Sequence, residues 1–185
     1  IAITSLDNDA SGRLLERVGL QFEGTMRLAG SEEDVRLFGT TIAYQFDAPN
    51  TRPVFGGLWT SGQLSQADIQ RLPELGIEAV INLALPTASN ALPGEAEVVT
   101  RQGIAYVQIP VPWETPEPRH LQQFFGVMEA FAGRKVWVHC ARNFRVSAFV
   151  FLYRRLCLGE PEEAASYPLR EVWDPNPTWE AFIGE

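Results

Sequence analysis

The sequence predicts an α/β fold for most of the chain: a central, mostly parallel sheet flanked by helices. Three observations carry that expectation. From residue 58 onward, short apolar runs alternate with stretches whose apolar residues recur at helical spacing. One run, residues 79–85 (AVINLAL), is almost unbroken in apolar residues, as a strand buried on both faces should be. Glycines stand where several of these segments end, at Gly62, Gly76, Gly103 and Gly159.

In order along the chain, Leu58-Trp59-Thr60-Ser61-Gly62 reads as a short strand. Ser65 is placed to cap a helix that carries Ile69 and Leu72 and breaks around Pro73 and Gly76. Residues 79–85 form the next strand, Glu95–Arg101 a short helix, and residues 104–111 a further strand. Leu121, Phe124, Phe125, Met128 and Phe131 fall at positions 0, 3, 4, 7 and 10 of a helical stripe. Residues 135–138 are again a strand. Val146, Phe149, Val150, Tyr153, Leu156 and Cys157 repeat the stripe up to Gly159-Glu160-Pro161, which places Cys157 in the core. Trp173, Trp179 and Phe182, spaced by Asp174-Pro175-Asn176-Pro177, are expected to anchor the tail. Ligands of such sheets bind at the carboxyl ends of the strands.

A smaller β-α-β-β segment precedes this region. Residues 1–4 read as a strand, and Asn8-Asp9-Ala10-Ser11 opens a helix with Leu14, Leu15 and Val18 that stops at Gly19. Extended stretches follow at 21–28 and 34–38. The polar, proline-bearing stretch from Asp47 to Pro53 reads as a linker. The expected division is therefore 1–46, a linker at 47–53, and a main domain at 54–185. The chain opens on Ile1 instead of Met, which reads as a fragment or a processed product.

Composition narrows the function classes. With 185 residues, 45% hydrophobic and 21% charged, the chain is of ordinary globular make-up. Its formal charge of −8 argues against nucleic acid as a partner, since phosphate backbones recruit a lysine and arginine surplus. No apolar run approaches the ~20 residues of a membrane span. No targeting segment is visible, so the expected setting is the cytoplasm. Cys140 and Cys157 are the only cysteines, too few for a disulfide scaffold or a four-thiolate zinc site. With only His120 and His139 besides, a metal would have to lean on carboxylates; no metal or cofactor is expected.

The chemistry concentrates in Val136-Trp137-Val138-His139-Cys140-Ala141-Arg142-Asn143-Phe144-Arg145-Val146-Ser147, a strand, a tight loop and a helix start. A cysteine at the strand end faces the N–H groups gathered at the helix N-terminus. Such amides and the helix dipole make a site for a tetrahedral oxyanion, and the same field favours a thiolate. A thiolate beneath a bound phosphate can attack phosphorus in line with the leaving oxygen. Arg145 or Arg142 supplies a guanidinium matched to phosphate geometry. Ser147, in the first helical turn, is placed to donate to the sulfur as it leaves.

His139-Cys140 with Ser147 seven positions after the cysteine resembles the signature loop of the cysteine-dependent protein tyrosine and dual-specificity phosphatases. Residues 65–85 (SQADIQRLPELGIEAVINLAL) resemble that superfamily's early helix–strand unit, and residues 104–112 the strand before its general-acid loop. The likeness is strongest to small bacterial phosphatase-like proteins with a loop of the form HCAxNxRVS, and it spans residues 54–185. It implies a three-layer phosphatase-like domain and phosphomonoester hydrolysis, on phosphotyrosine proteins or phosphorylated small molecules, through a cysteinyl-phosphate intermediate. It further implies that the amides of Ala141, Arg142, Asn143, Phe144, Arg145 and Val146 hold the phosphate, with Cys140, Arg145 and Ser147 catalytic.

The sequence departs from the common pattern of that superfamily. Arg usually stands six positions after the cysteine, where this chain has Val146; Arg145 is one place early, and Asn143 replaces a usual glycine. The family's general acid is an Asp, but this loop reads Val111-Pro112-Trp113-Glu114-Thr115-Pro116-Glu117, so Glu114 is the first stand-in and Glu117 the second. Trp113 is placed either to line the mouth of a pocket or to pack. Two other readings stay open beside hydrolysis. One is a phosphate-binding module without turnover; the other is a sulfurtransferase of the rhodanese kind.

Residues 1–42 carry a separate likeness. Asn8, Ser11, the Leu14-Leu15 helix, then Gly19 and Phe22, resemble the closing segment of an N-acetyltransferase of the general amine-acetylating superfamily. That resemblance implies that Asn8 and Ser11 lie near acetyl-CoA in a complete domain. The glycine-rich pyrophosphate loop is not in this chain, so no acetyl transfer is expected from it.

Overall fold

The computed structural model describes residues 2–17, 21–27, 34–39, 46–55 and 57–184. The chain divides into two compact units, Ile1–Gln45 and Phe46–Glu185. The first holds strand β1 (Ala2–Ser5), helix α1 (Asp9–Arg17), and strands β2 (Gln21–Arg27) and β3 (Asp34–Gly39). The strands form an antiparallel sheet in the order β1-β3-β2. Asn8 opens α1 by accepting the Ser11 N–H on Oδ1 at 3.0 Å, as an N-cap should. The Arg36 guanidinium sits 2.6 Å from Asp9 Oδ1 and holds that carboxyl below its ordinary range. The expected helix stop at Gly19 and the strand end at Leu28 lie outside the described residues.

In the second unit five strands, β4 (Arg52–Phe55), β5 (Leu58–Ser61), β6 (Ala79–Asn82), β7 (Ala105–Gln108) and β8 (Val136–His139), form one sheet in the order β4-β5-β8-β6-β7. All neighbours are parallel except β4, an antiparallel edge strand on β5. The predicted strand through Val136 and Val138 is the central one. Both β8 and β6 are buried at every position, which is why their sequences run apolar without alternation.

Helices cover both faces. On one side Ala79, Ile81, Val136 and Val138 pack with Phe124 of α4 (Pro118–Ala130), Phe149 of α5 (Phe144–Leu156), and Trp179 and Phe182 of the tail. On the other, Val80 and Trp137 pack with Ile69, Leu72 and Val99, from α2 (Gln66–Arg71), the 3-10 turn that follows it, and α3 (Glu95–Arg101). Three short helices close the chain: α6 (Glu162–Ala165), α7 (Leu169–Val172) and α8 (Pro177–Gly184). Trp179 and Phe182 are buried, so the tail is anchored as expected.

Two expectations need correction. Residues 47–53, read as a linker, are part of the second unit. The Asp68 carboxylate, itself in a capping box with Ser65, accepts the N–H groups of Asp47 (2.9 Å) and Ala48 (3.1 Å); Ala48 is buried, and Arg52 begins β4. The polar, proline-bearing composition marks a turn pinned by side-chain acceptors. Cys157, read as core, is exposed, because α5 ends at Leu156 and its last turn projects past the core, leaving Leu156 66% exposed.

Trp137 is the strongest single point of the second core. It is fully buried, stacked on Trp59 at 5.4 Å and 6°, and its indole donates to Ser61 Oγ at 2.8 Å. Trp137→Ala is expected to destabilise the fold by about 3–5 kcal/mol. Urea unfolding measures this; a loss below about 1 kcal/mol would show that the site collapses around the truncation.

Candidate active site

The parallel strands deliver their carboxyl ends to one place. There β8 finishes at His139, and Cys140 follows with its N–H donated to the Ser61 carbonyl at 3.3 Å. The chain then turns sharply into α5. Asn143 makes the turn at φ 70°, ψ 1°, the left-handed region where glycine is most at ease and asparagine is the best-tolerated alternative. This explains how asparagine stands at a position where glycine is usual. Asn143 is fully buried, and its Nδ2 donates to the Asn50 carbonyl (2.7 Å) and Thr60 Oγ1 (3.0 Å).

The first N–H of α5 to be paired within the helix is that of Ser147, onto the Asn143 carbonyl at 2.9 Å. The amides of Phe144, Arg145 and Val146 therefore open the helix with no intrahelical acceptor, at its positive end. A cavity of about 310 Å³ lies there, lined by Trp113, Cys140, Ala141, Arg142, Phe144 and Arg145.

Arg145 is only 9% exposed. Its guanidinium carbon stands 5.3 Å from the centre of the Trp113 ring, and its buried Nε has no hydrogen-bond partner. Among the described residues it makes no ion pair. The aromatic face holds the guanidinium by cation–π attraction and leaves its donors free for an anion. Arg142 is exposed, on the rim.

The other expected site residues lie elsewhere. Asn143 and Val146 are buried behind the wall. The Ser147 hydroxyl is also buried, donating to the Phe144 carbonyl (3.0 Å) and accepting from the Trp173 indole (3.1 Å). Glu114 is exposed beside Trp113 but is not among the residues lining the cavity. Glu117 is the N-cap of α4, paired with Arg119 at 2.9 Å, and its N–H donates to His120 Nδ1 at 3.1 Å.

Sequence reading left Trp113 open between lining the mouth of a pocket and packing; it does both, and what braces it was not foreseen. Trp113 packs against Trp173 (5.3 Å) and Trp179 (5.2 Å), Trp179 Nε1 donates to its carbonyl at 3.0 Å, and Trp173 stacks on Phe144 at 4.8 Å and 9°. Also unforeseen was a buried polar group beneath the loop. Glu95 accepts from Gln63 Nε2, Asn82 Nδ2 (2.7 Å) and the Tyr106 hydroxyl (2.8 Å), and lies 3.4 Å from His139 Nε2. An acid in the first turn of a helix is an ordinary dipole partner, so nothing in the sequence singles Glu95 out.

Burial pushes the His139 pKa below its ordinary 6.5, with Glu95 opposing. Below pH 6.5 the unfolded chain binds a proton that the folded one refuses, so stability is lost as pH falls through that value. The urea midpoint is accordingly expected to drop between about pH 7.5 and 5.5. His139→Gln should flatten that drop; an equally steep drop in the variant would assign it to other groups.

A cysteine between a parallel strand and a helix N-terminus, on the wall of a cavity it shares with a buried arginine, is the arrangement of cysteine-based phosphatase domains. No family model matches the sequence, and no curated protein does. Solved structures do. A candidate phosphatase of the DUF442 group from Shewanella putrefaciens CN-32 is similar in two crystal structures. One is 30% identical, covering 74% of this chain and 87% of that one, with a TM-score of 0.66. The other is 29% identical, covering 75% and 91%, with a TM-score of 0.67. Two more distant structures share the fold. Tk-PTP in its active form is 16% identical over 74% of this chain and 95% of its own, TM-score 0.62. A P. aeruginosa TpbA variant in complex with pTyr is 15% identical over 72% and 82%, TM-score 0.57. The chain belongs to the cysteine-dependent protein tyrosine phosphatase-like family.

Proposed function

We propose that the second unit hydrolyses phosphomonoesters, with aryl esters such as phosphotyrosine favoured, and that Cys140 is the nucleophile. The observation that carries this is Cys140 on the wall of a cavity it shares with the start of α5 and the Arg145 guanidinium. The Cys140 sulfur forms a bond to phosphorus as the bond to the ester oxygen breaks, giving a cysteinyl phosphate and an alcohol or phenol. Water then attacks phosphorus, the sulfur leaves as thiolate, and inorganic phosphate departs. Loop amides 141–146 hold the equatorial oxygens, and Arg145 adds charge where it accumulates. Ser147 eases the thiolate's departure once its hydroxyl hydrogen turns from the Phe144 carbonyl to the sulfur.

The preference for aryl esters follows from the walls. Trp113 and Phe144 offer ring faces, while none of the lining residues is a carboxylate able to protonate a poor leaving group. Glu114 is the proposed acid, reaching the ester oxygen when a substrate draws its loop inward. Glu114→Gln should slow an alkyl phosphate at least about tenfold and p-nitrophenyl phosphate less than about twofold; equal effects remove Glu114 from the mechanism.

The deciding assay is hydrolysis of p-nitrophenyl phosphate and several phosphopeptides, with trapping of a phosphorylated cysteine. Phosphate binding without turnover would make this a phosphate-binding module, and sulfur transfer from thiosulfate to cyanide a sulfurtransferase. For the first unit we propose the closing segment of an acetyltransferase-like domain, on the strength of its β-α-β-β order and the Asn8 cap.

A further inference from the structure

An anion cradle made of backbone requires each peptide unit to turn its N–H inward and its carbonyl outward, and outward carbonyls need donors of their own. The Ala141 carbonyl accepts from Asn90 Nδ2 at 3.0 Å and from the Gln63 N–H at 3.3 Å. The next, that of Arg142, accepts from Asn50 Nδ2 at 3.0 Å. The tie at Asn50 is reciprocal, because the Asn50 carbonyl accepts from Asn143 Nδ2 at 2.7 Å. Among the described residues Asn50 and Asn143 are the only non-glycine residues with positive φ, 55° and 70°, so two left-handed asparagines face each other across the turn.

The surrounding backbone is fitted to this contact. Gly62 bridges to Arg142, and its N–H donates to the Pro49 carbonyl at 2.7 Å. A Cβ on Gly62 would lie 2.5 Å from Pro49 Cγ and 3.0 Å from the Ala141 carbonyl oxygen. No side chain fits between the 49–50 turn and the loop. The turn is in turn held by the Asp68 carboxylate on the N–H groups of Asp47 and Ala48.

We infer that Asn50, with Asn90 in support, is a positioning residue. By taking the outward carbonyls of Arg142 and Ala141 it fixes the inward direction of the amides that bind phosphate. The inference rests on the phosphatase reading and extends it to residues some 50 and 90 positions from the signature loop. Neither asparagine touches the substrate. Each acts through a carbonyl whose peptide plane carries a cradle N–H on its other side.

Two Asn50 variants separate positioning from mere shape. Asp has the size of Asn and also tolerates positive φ, but its carboxylate turns a donor into an acceptor facing the Arg142 carbonyl. Gly relieves the backbone and simply removes the donor. Inorganic phosphate binding by titration calorimetry, p-nitrophenyl phosphate kinetics and thermal melting are measured on the whole chain. Asn50→Asp is expected to weaken phosphate binding by roughly tenfold or more, Asn50→Gly by less, and Asn90→Ala by roughly threefold. In each variant kcat/KM for p-nitrophenyl phosphate should fall in step with the binding constant. Variants that melt lower but bind phosphate as tightly as wild type would overturn the positioning role while leaving the phosphatase reading intact. Equal effects of Asp and Gly would also overturn it, since the sign of the contact would then not matter. A wild-type chain that neither binds phosphate nor hydrolyses the ester would remove the phosphatase reading, and this role with it.

Discussion

Cys140→Ser is expected to abolish hydrolysis of p-nitrophenyl phosphate, lowering kcat by more than about 10³-fold, while phosphate still binds. The two outcomes separate because the groups proposed to bind the anion are not the proposed nucleophile. The amides that open α5 and the guanidinium of Arg145 remain when the sulfur is replaced by oxygen. A serine hydroxyl in that position lacks a neighbouring base to take its proton, since His139 faces Glu95 behind the loop. Calorimetry on the variant should give a phosphate affinity within a few-fold of wild type. If turnover persists, the covalent route through Cys140 is wrong; if binding vanishes too, the loop has lost its shape and the geometry of the variant must be solved.

The second large effect concerns the displaced arginine. Arg145→Ala is expected to reduce kcat by about 10²–10³, the cost of removing one preorganised donor to a developing charge, and to weaken phosphate binding as well. Arg145 is buried against Trp113 with Nε unpartnered, so its charge has no compensation unless an anion enters. Arg142 stands exposed on the rim, where solvent screens it. Arg142→Ala should therefore cost less than about tenfold. The reverse order would transfer the guanidinium's role to Arg142. Trp113→Leu should mimic part of the Arg145 loss, since the ring face holds the guanidinium.

Much of this architecture was legible in the residues because each feature expresses itself over a few positions. The unbroken apolar runs of β6 and β8 follow from burial on both faces, Ser65 caps α2, and the strand–Cys–helix unit places its cysteine at the carboxyl edge of the sheet. What escaped depends on partners far apart in sequence. Asn50 bonds a carbonyl 92 residues away, and Glu95 gathers donors from three other segments. A loop asparagine or a first-turn glutamate looks the same whether it ends in solvent or in such a contact. Cys157 misled for the opposite reason: helical periodicity continues past the point where the core stops, so spacing alone cannot say which turn is the last to be covered.

The opening of α5 offers main-chain N–H groups, and a main-chain N–H is blind to the element at the centre of what it holds. Tetrahedral or near-tetrahedral anions of similar size and charge (phosphate, arsenate, vanadate, tungstate) look alike to it. Discrimination must then come from the organic side of the ester, where Trp113 and Phe144 stand with their rings braced by Trp173. On the proposed function, the labour divides between a main-chain part that recognises a shape common to many molecules and an aromatic rim that tells them apart. Substitutions at the rim should change which ester is chosen, and simple mineral anions should compete at the cradle whichever ester that is.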